Sequence, residues 1–393
     1  MKEGEEEYKK GNWQEAIELF ERYLEKEKGI TKTREEILYK TGICYVKTGQ
    51  EEKAKEKTEQ LLKEYPETIY RDKAELEIGK IYYEEGEKEK AKGVLSRIRG
   101  SWDKEVRGEV EYYLFLISPP EKQQEKEKFY DNYISQYPES NKIPEILYLK
   151  AETLYNKIEN KEEYTTKNIP QYKQIKELLE KASKTEEIET LKKIYPLLIT
   201  CYDHIAEYPE KYKIMKQYAE LLYPEDKEKQ AEYLKEQADK LMAQEETGEA
   251  IIMYRKIAKE YPDTEIAPEV LFDVAKIIYE EEKKVEAVNQ TIKEYEEIIQ
   301  KYPKNKYAED IYFILVKKYQ ELGKINQAIK QLEDFLKTYP DSKKYESALF
   351  LLGMMYKENK SQEQAKKVWE EYLKKYPEGV YYTVVKTFLE EGD

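Results

Sequence analysis

The side chains able to do chemistry are few in kind, and their spacing argues against most of it. A proton relay between imidazoles, or a histidine-rich metal site, needs more than one histidine, and the 393-residue chain has only His204. On an apolar helical stretch it reads first as a packing residue. No run has the glycine spacing of a phosphate loop, the strand-to-helix turn of a nucleophile elbow, the paired cysteines of a zinc site or the acidic spacing of a calcium loop. Glutamates are dense enough to offer many acid/base pairs, but at this density neighbouring carboxylates are solvated faces by default. Only an all-carboxylate divalent-ion site stays open. The expectation is no catalytic residue, no cofactor and no metal, hence no enzyme. Tyrosine is the exception in number, 39 against eight phenylalanines. Buried rings with hydroxyls at the rim suit thin packing layers. An exposed remainder would make an aromatic recognition surface, since tyrosine is enriched at binding hot spots.

These residues sit on a repeating frame, clearest from Lys343 to Pro377. Apolar residues recur at helical spacing from Ala348 through Leu349, Leu352 and Met355 to Tyr356, a polar break covers Glu358 to Ser361, and Ala365, Val368, Trp369, Tyr372 and Leu373 form a second run. Tyr376-Pro377 closes the unit. The same order recurs from Ala308 to Tyr339-Pro340, around Gly323, and from Ala267 to Pro303 and Gln230 to Pro262. Toward the N-terminus, Glu35 to Pro66 turns at Gly49 and Asp72 to Ile98 turns at Gly86. The first unit is a partial helix to about Lys10, a turn at Gly11-Asn12 and a helix from Trp13 with Ile17, Phe20 and Leu24 on one stripe. That pattern puts Met1 already inside a helix and suggests a chain trimmed at its N-terminus. The middle is less regular: Pro119-Pro120 breaks one unit, a long connection runs from about Glu159 to Ile169, and Pro196 falls inside an apolar helical pattern, where it should kink the helix. Val380 to Leu389 forms a last helix over the exposed end. Nine of the 14 prolines follow tyrosine, and proline rejects an α conformation in the residue before it, so these pairs mainly stop helices.

Lysine and arginine total 69 against 83 acidic residues, a net charge of −14. The global field therefore opposes DNA and anionic membranes, leaving room only for a local basic patch. Charge carried by Lys and Glu, with two cysteines, suits a thermophile's ion-pair networks and equally any exposed helical array. Cys44 and Cys201 fall about four helix pairs apart, too far for a disulfide, so two buried free thiols are expected. No run has the 18 or more apolar residues of a membrane span.

The combination of positions resembles the tetratricopeptide repeat (TPR) family: a small residue in the first helix (Gly42, Gly79, Gly353), Tyr near its end (Tyr45, Tyr82, Tyr319, Tyr356), Ala opening the second (Ala54, Ala91, Ala250, Ala328, Ala365), an aromatic four later (Phe20, Tyr254, Trp369) and a closing Pro. The Tyr-Pro-Asp/Glu-Ser/Thr links, as at Tyr65 to Thr68 and Tyr339 to Ser342, are most similar to repeats of bacterial envelope TPR proteins, of the outer-membrane-assembly lipoprotein and periplasmic Tol-Pal coordinator type. The resemblance implies an all-α right-handed superhelix, a solenoid of about ten helix pairs with a C-terminal capping helix. It divides into regular repeats at 1–103, irregular ones at 104–224, regular ones at 225–377 and the cap at 378–393.

In that family the first helices line a concave face, and ligand contacts come from two positions on each. Here those positions hold Tyr39 and Ile43, Leu76 and Lys80, Phe313 and Lys317, and Phe350 and Met354. The Lys/Asn carboxylate clamp of chaperone-binding members is missing. A mixed apolar and aromatic groove implies a helix or extended protein segment as ligand; the competing use is packing between repeats. The resemblance thus implies a non-enzymatic protein-protein scaffold in an envelope or periplasmic assembly, with a cytoplasmic setting as the alternative. Self-assembly into a ring, collar or fibre is a second reading, and a peptidoglycan binder a third. Nucleic acid and a direct membrane span are not expected.

Overall fold

The computed structural model describes residues 1–161, 165–282 and 285–390. Among them are 21 α-helices, one 3-10 turn at Thr166–Asn168 and no strand, so the fold is all-α. The expected long connection lies partly outside the described residues. The chain forms two compact units, 1–207 and 208–393. The first holds α1 (Lys2–Lys10), α2 (Trp13–Lys26), α3 (Lys32–Lys47), α4 (Glu51–Glu64), α5 (Arg71–Glu84), α6 (Lys88–Arg97), α7 (Lys104–Ile117), α8 (Gln123–Gln136), α9 (Ile143–Tyr155), α10 (Ile169–Ala182) and α11 (Ile188–His204). The second holds α12 (Tyr208–Leu222), α13 (Lys227–Ala243), α14 (Thr247–Glu260), α15 (Ile266–Glu282), α16 (Val285–Lys301), α17 (Ala308–Glu321), α18 (Ile325–Thr338), α19 (Tyr345–Glu358), α20 (Gln362–Lys375) and α21 (Tyr382–Glu390).

Turn chemistry sets the pairs. After α3, Gly49 takes a left-handed φ of 67°, and the amides of Gly49 and Gln50 return to the carbonyls of Val46 and Tyr45 at 3.1 and 2.9 Å. This satisfies helix-end carbonyls that no intrahelical donor reaches. Glycine is not obligatory there, since Glu245 and Lys360 hold φ of 64° and 61° in the corresponding turns. Between pairs, Tyr65, Tyr137, Tyr261, Tyr339 and Tyr376 end their helices with φ between −122° and −129° and ψ between 52° and 74°, outside the α region that a following proline disfavours. Pro196 instead lies within the continuous helix α11.

Two recurring contacts join the helices. Within a pair, the small residue of the first helix faces a larger one on the second: Gly4 with Phe20, Gly79 with Leu95 and Gly353 with Trp369. Between pairs, a tyrosine near the end of a first helix donates its hydroxyl to a glutamate on the preceding second helix: Tyr45 to Glu21 at 2.8 Å, Tyr202 to Glu180 at 2.7 Å, Tyr319 to Glu296 at 2.6 Å, and Tyr356 to Glu333. The last helix, α21, buries Val385 and stacks Phe388 on Trp369 with centroids 5.1 Å apart. It therefore covers α20 as a cap should.

Candidate partner-binding surface

On each first helix the candidate strip is set by the two positions that directly follow inward-facing residues. In α3 these are Tyr39 and Ile43, after Leu38 and Gly42, and both are half-buried. Tyr39 stacks on Tyr70, at the start of α5, with centroids 4.5 Å apart and rings 12° from parallel. In α5, Leu76 is buried in the core, and Lys80 is held by Glu77 at 2.8 Å and Glu109 at 3.4 Å. Burial opposes the Lys80 charge, but the two carboxylates outweigh it and raise its pKa.

In the second unit, Phe313 is half-buried and meets Phe335 edge to face at 5.1 Å, while Lys317 is exposed. Phe350 stacks on Tyr381 at 4.1 Å, and Met354 is half-buried against the core. Tyr39, Phe350 and Lys80 are thus engaged by the next repeat, Leu76 is interior, and Ile43, Phe313, Lys317 and Met354 keep accessible surface. Four of these residues lie in each unit.

The same two positions on α13 hold Lys235 and Asp239, after Leu234 and Ala238, a pair outside those expected from the sequence. Lys235 contacts Asp239 at 2.9 Å and Glu269 of α15 at 3.4 Å, and Glu269 is bound by Lys306 at 2.6 Å. Tyr254 donates to Asp239 at 2.6 Å. Nearby, burial raises the Asp273 carboxyl; Lys235 pulls it down and Glu269 and Asp239 push it up, for a net rise. This strip is charged, whereas on α17 and α19 Phe313, Phe350 and Met354 are aromatic or apolar and Lys317 carries charge.

The residues singled out for chemistry are placed otherwise. His204 stacks on Tyr172 with centroids 4.1 Å apart and rings 7° from parallel. Cys44 and Cys201 are buried free thiols, and burial pushes both up to about 12. Among the described residues, no group of three or more His, Cys, Asp or Glu is placed to hold a metal ion, and no helix is long and apolar enough to cross a membrane.

Two family profiles match the sequence: the outer membrane lipoprotein family YfiO over residues 280–391, and a tetratricopeptide repeat over residues 36–68. No curated protein matches. Among solved structures, the Cut9–Hcn1 hetero-tetramer of the APC/C is similar at 9% identity over 99% of this chain and 95% of that one, with a TM-score of 0.37. The human IFIT1 dimer is similar at 16% identity over 92% and 81%, TM-score 0.29, and the TPR domain of P58(IPK) at 13% identity over 100% and 95%, TM-score 0.27. These likenesses concern the helical-repeat fold alone. Together the repeat chemistry, the helix pairs and the two profiles make this chain a tetratricopeptide-repeat protein whose repeats resemble those of bacterial envelope TPR proteins.

Proposed function

We propose that the chain is a non-enzymatic scaffold that binds protein partners along the first helices of its repeats, within an assembly of the bacterial cell envelope. The observation that carries this reading is the register. On helices whose other faces are packed, the same two positions leave Ile43, Phe313 and Met354 half-exposed and Lys317 exposed, while α13 offers the Lys235–Asp239 pair. Side chains repeated along stacked helices give several modest contacts on a preorganised surface, which lowers the ordering cost of binding an extended or helical segment. The match of residues 280–391 to the outer membrane lipoprotein family supports the envelope setting.

The test is capture from an envelope fraction with wild-type chain and with Lys317→Glu and Met354→Glu variants, beside light scattering of each. A distinct protein recovered with the wild type, and reduced about tenfold by either variant, is expected from loss of one interface residue. Lys317 is exposed, so its variant separates binding from folding. Equal recovery by all three chains overturns the reading. Recovery of the chain alone, with mass rising with concentration, would favour a self-assembling subunit.

A further inference from the structure

The residue just before the N-cap of a helix commonly folds back as an apolar staple against the first turn. In three consecutive first helices of the first unit this residue is apolar and does not fold back. Ile30 precedes the Thr31 cap of α3, Ile69 the Tyr70 cap of α5 and Trp102 the Asp103 cap of α7. They are 77%, 83% and 98% exposed. The corresponding residues of α9, α11, α13, α17 and α19 are Asn141, Glu186, Glu225, Lys306 and Lys343, all polar and exposed. The repeat thus supplies its own comparison: five copies carry polar residues at this turn, three neighbouring copies of the first unit carry large apolar ones, and in the second unit Val380, ahead of α21, is an isolated apolar one at 84% exposure.

The three turns are neighbours in space as well as in sequence order. The Tyr65 hydroxyl, in the turn of Ile69, both accepts from the Thr31 amide and donates to the Thr31 carbonyl at 3.0 Å. Lys73, in the first turn of α5, pairs with Asp103, next to Trp102, at 3.1 Å. Ile30, Ile69 and Trp102 therefore form one row along an edge of the first unit. The turn segments differ in charge from the whole chain: residues 27–33, 66–73 and 97–104 carry seven Lys/Arg against four Asp/Glu, within a protein of net charge −14, and Arg71, Lys73, Arg97 and Arg99 among the seven are paired with Glu75, Asp103 and Glu111. Lys28, Lys32 and Lys104 beside the tips are exposed and enter no ion pair among the described residues. The N-terminal ends of α3, α5 and α7 add their positive partial charge to the same edge.

We propose that this row is a lipid-contacting edge, with Ile30, Ile69 and Trp102 entering the headgroup and upper acyl region of an anionic phospholipid bilayer while the three lysines meet its phosphates. Separate apolar tips projecting from turns need surroundings that yield around each one. A bilayer interface provides them, and tryptophan and lysine side chains partition to that depth. A protein partner would need a matching pocket for each tip. The chain's negative charge resists adsorption by other faces, so contact is oriented through this edge and weakens with salt. The edge is independent of the first-helix strips, and either assignment can fail without the other.

The experiment is flotation of the full chain with vesicles of equal phosphatidylglycerol and phosphatidylcholine, and with phosphatidylcholine alone, while tryptophan emission is recorded. Of the three tryptophans, Trp13 is half-buried, Trp369 is buried and Trp102 is exposed, so a blue shift on adding vesicles reports Trp102. Wild type is expected to float with the anionic vesicles and shift blue. The Ile30→Ser/Ile69→Ser/Trp102→Ser variant should lose binding by about tenfold or more, as expected when few apolar side chains anchor a peripheral contact. Val380→Ser, altering the 84% exposed residue two positions before α21 in the second unit, should bind like wild type. Trp102→Phe keeps an apolar tip and should keep flotation while losing the shift, a readout that does not depend on the triple variant folding. Absence of flotation, equal flotation of the triple variant, or an equal loss in Val380→Ser overturns the proposal. Equal flotation with phosphatidylcholine alone overturns the anionic assignment. A wild type that ignores vesicles but loses a cross-linked protein in the triple variant makes the row a protein interface instead.

Discussion

Part of the tyrosine excess is explained by a bond that phenylalanine cannot make. Tyr45, Tyr202, Tyr319 and Tyr356 each insert a ring into the gap between two repeats and donate to a carboxylate across it. The hydroxyl serves as a rivet between repeats, with the carboxylate as charged acceptor, and such bonds are stronger than neutral ones. Tyr319→Phe should therefore cost about 1.5–3 kcal/mol in chemical unfolding, the usual worth of a hydrogen bond to a charged group. Tyr261 is as deeply buried, yet its hydroxyl has no hydrogen-bond partner among the described residues. Tyr261→Phe should be neutral or slightly stabilising, since removing an unsatisfied buried group removes its desolvation cost. Equal losses at both sites would show that ring packing alone matters.

At the scale of the element, one position of the repeat demands a small residue in some copies and not in others. A Cβ added to Gly79 would meet Leu95 Cδ2 at 2.5 Å, and one added to Gly353 would fall inside the indole of Trp369, whereas at Gly42 the nearest atom is Thr58 Oγ1 at 3.6 Å. Gly353→Ala and Gly79→Ala should each destabilise by about 1–3 kcal/mol through overpacking. Gly42→Ala should instead stabilise by about 0.5–1 kcal/mol, because helix formation gains without a clash. Thermal midpoints of the three variants check the sign at each site. The turn that follows is also negotiable: Lys360, at φ 61°, is held where an L-residue costs about 1–2 kcal/mol. Lys360→Gly should recover part of that and raise the midpoint. A midpoint that falls would mean the Lys360 side chain contributes more than its backbone costs.

At the scale of the whole molecule, the shared riveting makes the pH response predictable in sign. Burial, and then the Glu333 and Glu346 carboxylates they donate to, push Tyr356 and Tyr372 up to about 12. Lys55 moves to about 12 as well: burial works against its charge, but Glu85 and Glu52 raise it. A group with a raised folded-state pKa holds its proton more tightly in the folded chain. Its contribution is complete below the unfolded value, about 10 for tyrosine and lysine, and is lost as pH rises through the folded value. The urea midpoint should accordingly stay level up to about pH 9.5 and fall between about pH 10 and 12. A profile flat through pH 12 would count against these assignments. Because rivets of this kind occur in both units, both should lose stability in the same alkaline window.

Sequence alone determined the helix pairs, the turns and the cap, because these follow from local rules: apolar period, proline after tyrosine, and a small residue facing a large one. Even the pairing of Gly4 with Phe20 was implicit in the spacing of Gly353 and Trp369, although the first helix had been read only as a fragment. The family resemblance assigned Tyr39, Lys80 and Phe350 to ligand-contact positions of their helices. It could not say that Tyr70, Glu109 and Tyr381 would occupy them, since those partners come from the next repeat and their reach depends on how far one pair is displaced from another. For the same reason Ile30, Ile69 and Trp102 read as ordinary turn residues. Whether a turn residue folds back or projects is decided by the space its neighbours leave, and only the tertiary structure shows that the three project, side by side, from one edge.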